Sequence, residues 1–264
     1  MNSDFTEILG VQVSTLDEDL ILEYTRKYLA RNEKNDVKPL VIFTPNPEIV
    51  VYARKDEKFK SLVNTAQINL CDGFGLVWAS QVLGKPRLRR ITGADFAEKL
   101  VKLAADLGVG IGLIGGRPGV AVRALECLKK KYPGLKGWGE ERISFCHSRG
   151  AAGQPREDWI PDQVGDDILK RIQETKPGLV LVGLGAPKQE YFINLLTTNY
   201  HLQTTPIVFM AVGGAFDFWA GRVRRAPKFL QNLGLEWAWR LILQPWRLKR
   251  QLSLLKFIRL VYTS

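Results

Sequence analysis

Apolar positions along the chain follow two alternating patterns. Short, nearly continuous apolar runs occur at Leu40–Phe43, Ile68–Cys71, Val109–Ile114, Arg142–Phe145, Leu179–Val182 and Ile207–Val212. Each has the length of a buried strand, and most end in Gly, Asn or Asp. Between them, segments 15–30, 47–63, 74–83, 93–107, 118–131, 164–175 and 187–198 carry apolar residues at helical period. Strands apolar on both faces, alternating with helices, predict an α/β fold whose parallel sheet is covered on both sides. The stretch 146–166 is polar and rich in Gly and Pro and reads as a long surface loop. From about Pro227 the pattern changes to helical segments with no further strand. The expected organisation is a core, 1–221, followed by a helical appendage, 222–264.

Charge sharpens that division. The chain carries a net +11, yet from Arg222 to the end ten Lys/Arg face one acid, Glu236. The core is therefore nearly neutral and the appendage strongly basic. Three of the seven tryptophans, Trp237, Trp239 and Trp246, lie in the appendage. Leu248, Leu252, Leu255 and Ile258 recur at helical spacing among Arg247, Lys249, Arg250, Lys256 and Arg259. That pattern suits an amphipathic helix on an anionic membrane surface, and equally a helix packed on the core with a solvated basic face. Nucleic-acid binding shares the charge but lacks a recognised module, and is not expected. Three cysteines with no CxxC argue against a disulfide framework or a zinc site and fit a reduced compartment. The start, MNSDFTEILG, lacks the features of a signal peptide, and no apolar run reaches the ~18 residues of a membrane span. Membrane contact, on this reading, is peripheral and from the cytoplasmic face.

In an open parallel sheet the ligand crevice lies beyond the carboxyl ends of the strands. The corner Thr44-Pro45-Asn46-Pro47-Glu48 reads as a helix start with Asn46 as cap, or as part of a site. In Cys71-Asp72-Gly73-Phe74-Gly75, Asp72 can cap the next helix or act as general base on an attacking hydroxyl. The turn Gly112 to Gly119, with Gly115, Gly116 and Arg117, opens a helix and suits a diphosphate. Gly183-Leu184-Gly185-Ala186-Pro187-Lys188-Gln189-Glu190 and Val212-Gly213-Gly214-Ala215-Phe216-Asp217 repeat the logic, with Gln189 able to bond a sugar or a base.

The one DxD, Asp17-Glu18-Asp19, reads as the acidic first turn of a helix, and two histidines make a His-based metal site improbable. Without a metal, a leaving diphosphate needs guanidinium groups, which makes Arg90, Arg222, Arg224 and Arg225 of interest. GxSxG, Walker A and HExxH are absent, as is the GxGxxG of a dinucleotide oxidoreductase.

The ordered set TPNPE (44–48), DGFG (72–75), RITGADF (90–96), GLGAPKQE (183–190), GGAFDFWAG (213–221), RRAP (224–227) and LEWAWRL (235–241) resembles the WecG/TagA/CpsF glycosyltransferase family over about residues 5 to 251. The resemblance implies a Rossmann-like core and a membrane-docking appendage. It implies a metal-independent, inverting transfer of a hexose or N-acetylhexosamine-type sugar. The donor would be a UDP-sugar and the acceptor a polyprenyl-diphosphate-linked sugar, as in teichoic acid, capsule or exopolysaccharide synthesis, with no cofactor. Asp72 would be the general base, Thr44 and Asn46 would line the acceptor pocket, and Gln189 would lie in the catalytic pocket. Gly115, Gly116, Gly183, Gly185, Gly213, Gly214 and Asp217 would hold UDP, and Arg222, Arg224 and Arg225 would close over its diphosphate. Self-association stays open. The rival reading is a non-catalytic nucleotide-binding scaffold at the membrane.

Overall fold

The computed structural model describes residues 4–31, 37–141, 166–199, 206–232, 236–245 and 248–264. The chain opens with a hairpin, β1 (Phe5–Ile8) and β2 (Val11–Ser14), and α1 (Glu18–Leu29). Then come β3 (Leu40–Phe43), α2 (Pro47–Ala53), α3 (Glu57–Val63), β4 (Ile68–Asn69), α4 (Phe74–Val82) and α5 (Gly93–Asp106). β5 (Ile111–Gly115), α6 (Val120–Lys131), β6 (Gly137–Glu140), α7 (Asp166–Thr175), β7 (Leu179–Gly183) and α8 (Lys188–Asn199) follow. The chain ends with β8 (Val208–Ala211), α9 (Ala215–Trp219), α10 (Lys228–Asn232), α11 (Glu236–Leu243) and α12 (Leu248–Tyr262).

Six strands form one wholly parallel sheet in the order β4-β3-β8-β7-β5-β6, the Rossmann-like α/β architecture expected. Alternation along each strand feeds two cores. Val41 and Phe43 join one, built against the hairpin, α2, α3, α4, α7 and α8. Leu40 and Ile42 join the other, built against α1, α5, α6 and α9. Burial on both faces explains why these strands read as unbroken apolar runs rather than as alternating ones.

The structure departs from the sequence reading at several elements. The segment 47–63 is two helices, because Asp56 caps a new start by accepting a bond from Phe59 N at 3.0 Å. The β1–β2 hairpin was not foreseen; its turn puts Leu9 and Gly10 at positive φ. Nor was β6, whose GWGE sequence has poor strand propensity. Its glycines are needed for close approach: a Cβ on Gly139 would lie 2.9 Å from backbone atoms of α6. The expected strand Arg142–Phe145 and the loop up to residue 165 lie outside the described residues.

The appendage does not stand apart. α12 returns to pack on α2 and α4, with Phe257 and Val261 buried in the first core. Trp78 of α4 meets both Phe257 and Tyr262. The anticipated apolar stripe is thus divided: Ile258 turns to the interior side, while Leu252 and Leu255 stay exposed. No helix among the described residues is long and apolar enough to cross a membrane.

Candidate active site

A cavity of about 620 Å³ opens at the carboxyl ends of β3, β4, β7 and β8, four consecutive strands of the sheet. Its polar floor is Thr44, Asn46, Asp72, Gln189, Gly213 and Gly214; Phe74, Trp78, Trp237, Leu254 and Ile258 supply apolar wall. Among the described residues, the acids Glu48, Asp72 and Glu236 and the base Arg90 line it.

Local structure sets each group. Thr44 is buried, and its hydroxyl donates to Ala211 O at 3.3 Å, bridging the corners after β3 and β8. Asn46 caps α2 by accepting from Ile49 N at 3.1 Å while still lining the cavity, so both readings of that corner hold in geometry. The cap of α4 is Gly73, at φ +98°, which leaves Asp72 one residue ahead of the cap, half-buried and on the cavity wall. Asp72 N donates to Pro45 O at 3.1 Å, tying the two corners together. Burial, then the neighbouring Asp72 charge, pushes the Cys71 thiol up to about 12 against the opposing pull of Arg90. Cys71 is accordingly a core thiol and an inert one at neutral pH.

Gln189 is almost fully enclosed and clasps two loops. Its Oε1 accepts from Gly213 N at 2.9 Å and Gly185 N at 3.2 Å, and its Nε2 donates to Glu190 Oε1 at 2.8 Å. The expected ability of Gln189 to bond a ligand competes with its role in the fold, which uses most of its bonding capacity to join the corners after β7 and β8. Glu190 itself is 0% exposed, and burial raises its carboxyl to about 7.

The arginines divide. Arg90 lines the cavity, stacks on Phe74 at 4.8 Å, and donates to Gln231 O at 2.7 Å. Arg225 makes a bidentate pair with Asp95. Glu236 stands 3.6 Å from both guanidiniums, so α11 is held to the core by a charge network. Burial pulls the Arg225 guanidinium down, but Asp95 and Glu236 outweigh it and leave it raised. Arg222 and Arg224 are exposed.

Several expected donor-binding residues lie away from the cavity lining. Gly115 ends β5 and Gly116 and Arg117 follow it, and β7 separates that strand from those at the cavity's centre. The helix opened by that turn is already capped, since Glu141 accepts from Gly119 N at 2.9 Å and Val122 N at 3.1 Å. Gly183 serves packing: a Cβ there would lie 2.8 Å from the Phe216 ring and 2.9 Å from Gly213 O. Asp217, too, is off the lining, whereas Gly185, Gly213 and Gly214 are on it. Glu48, Thr92, Glu190 and Glu236 are not among the site residues expected from sequence; Glu48, Glu190 and Glu236 carry a signal, as acids in the first turn of their helices.

Among the described residues no group of three or more His, Cys, Asp or Glu is placed to hold a metal ion. A cleft at strand carboxyl ends, lined among the described residues by carboxylates and a guanidinium, suits the active site of an enzyme of the α/β class. The sequence profile of the glycosyl transferase WecG/TagA/CpsF family matches residues 6–264, and the chain belongs to that family and is a glycosyltransferase. It is similar to the N-acetylglucosaminyldiphosphoundecaprenol N-acetyl-beta-D-mannosaminyltransferase of Staphylococcus aureus strain NCTC 8325 / PS 47, 32% identical over 96% of this chain and 90% of the relative. The protein of the same description from strain MRSA252 is 31% identical over the same share of each chain.

Proposed function

We propose that this glycosyltransferase moves a hexose or N-acetylhexosamine-type sugar from a UDP-sugar to a polyprenyl-diphosphate-linked sugar, with inversion and without a metal. The product would enter a cell-surface polysaccharide. Family membership and the acceptor named for the Staphylococcus aureus relatives support this reading. The observation that carries it is the convergence in one cavity of Asp72, Thr44, Asn46 and Gln189 with Arg90 and an apolar wall. A half-buried carboxylate at a strand end is suited to take the proton of an acceptor hydroxyl as that oxygen attacks the anomeric carbon. Attack opposite the leaving UDP inverts that carbon. The departing diphosphate is then stabilised by cavity-lining Arg90 and by Arg222, Arg224 and Arg225, which lie off the lining in the stretch between Phe218 and Glu236, so that Arg225 exchanges its pair with Asp95 for the diphosphate. Residues 222–264 act as an appendage that completes the site built by residues 1–221.

The appendage also supports a peripheral membrane role. Phe229, Ile242, Leu243, Leu252 and Leu255 are exposed, and so are Lys228, Lys256 and Arg259. Apolar side chains among cations suit an anionic leaflet, where each cation contributes about 1 kcal/mol.

The test is transfer from a panel of UDP-sugars to a polyprenyl-diphosphate-GlcNAc or -Glc analogue, with and without EDTA. Asp72→Asn is expected to lower turnover about 10²- to 10⁴-fold while UDP still binds. Full turnover in that variant removes Asp72 as the base, and loss of wild-type transfer in EDTA removes the metal-free mechanism.

A further inference from the structure

We infer that Glu190 is a positioning residue for the transfer reaction: it selects the one orientation of the Gln189 amide that holds the β7 and β8 corners against the cavity. The inference rests on the glycosyl-transfer reading only for its catalytic consequence.

The argument starts from an amide with two orientations. With Oε1 toward the loops, Gln189 accepts from both Gly213 N and Gly185 N. Flipped, it would set its own N–H groups against those two donors, breaking both bonds and burying four unpaired hydrogens. The group on the other end of the amide adds to that preference. Glu190 Oε1 accepts from Gln189 Nε2 at 2.8 Å. An ionised carboxylate facing that nitrogen accepts its N–H and repels a carbonyl oxygen, so it favours the productive orientation.

Glu190 is a costly residue to keep where it is. It is 0% exposed, and its Oε2 is buried with no hydrogen-bond partner. A buried carboxyl with an unmatched oxygen works against stability. An apolar side chain of the same size would avoid that cost, and a glutamine would reduce it. Neither would do the same job. Glutamine can turn its own amide and present N–H to Gln189, leaving the pair free to flip together. An ionised carboxylate has no donor to offer the Gln189 carbonyl oxygen that a flip would turn toward it.

Both loops matter for chemistry because Gly185, Gly213 and Gly214 line the cavity together with Gln189. Gly213 sits at φ +53° two residues after β8, and its N–H is held by the clasp. Displacing such a corner by about 1 Å costs on the order of 100-fold in rate.

The experiment uses the full chain with Glu190→Met and Glu190→Gln. The first readout needs no substrate: hydrogen exchange of the Gly185 and Gly213 amides, by NMR or peptide-level mass spectrometry. Exchange is expected to rise about 10-fold in Glu190→Met, and by less in Glu190→Gln. The second readout is steady-state kinetics. kcat should fall on the order of 100-fold in Glu190→Met with KM little changed, and Glu190→Gln should fall between it and wild type. Unchanged exchange at both amides in either variant overturns the inference, and so does faster exchange with wild-type kcat. If Glu190→Met does not fold, Glu190→Gln decides by the same two criteria. Should wild type transfer no sugar to these acceptors, the glycosyl-transfer reading fails while the exchange arm still tests the clasp.

Discussion

Phe257 is the test of whether the appendage is part of the enzyme's architecture. Its ring is 0% exposed, lies in the core with Phe43 and Ile49, and meets Trp78 with ring centroids 6.5 Å apart. Replacing it by Ala removes a fully buried side chain worth about 1.5–3 kcal/mol in transfer alone, and the unfilled cavity brings the cost to about 3–5 kcal/mol. That loss falls chiefly on the attachment of α12, whose Phe257 and Val261 are buried in the core with Leu260 packed beside them. At 1.4 kcal/mol per decade, the docking equilibrium of α12 shifts by roughly two to nearly four powers of ten. The sheet keeps its own contacts, so the helix should loosen before the core does. Hydrogen exchange over residues 248–264 should then rise sharply while β3, β5, β7 and β8 keep their protection. Leu254 and Ile258 leave the cavity wall with the helix, so transfer should fall even though Asp72, Thr44, Asn46 and Gln189 are untouched. Wild-type exchange in α12 together with wild-type turnover would refute the reasoning.

Two further outcomes follow from single contacts. Glu190 holds its proton up to about pH 7 when folded, against 4.5 for the free carboxyl, with burial, aided by the charge of Glu48 on α2, as the cause. The folded state binds more protons between those values, so this group's contribution is complete below about 4.5 and is lost as pH rises through 7, a swing of about 3 kcal/mol. Urea midpoints at pH 5 and pH 8 should therefore differ less in Glu190→Gln than in wild type; equal pH dependence in the two proteins would refute the assignment. Gly183→Ala would set a methyl 2.9 Å from Gly213 O, a backbone atom that cannot move cheaply. A loss of about 1–3 kcal/mol in urea unfolding is expected, together with reduced turnover from the spread corners; unaltered stability would remove the packing role of this glycine.

The sequence by itself determined most of the layered fold. Leu40–Phe43, Leu179–Val182 and Ile207–Val212 are legible as strands because burial on both faces leaves an unbroken apolar run. Helix starts at Asn46-Pro47 and Asp56 are written in local chemistry, although the second was read through as a single helix. Asp72 was legible as a candidate because it follows a strand, and ligands gather at strand ends. What the sequence could not supply is which strands are neighbours. The Gly115-Gly116-Arg117 turn looks as suited to a diphosphate as any other corner, and only the strand order sets it away from the cavity. The same holds for Gln189, Glu190 and Phe257. Their roles are pairings between segments distant in the chain, or orientations fixed by such pairings, and local periodicity carries no record of them. Tertiary structure decided which polar groups share a cavity, since that depends on long-range packing rather than on the spacing of residues along the backbone.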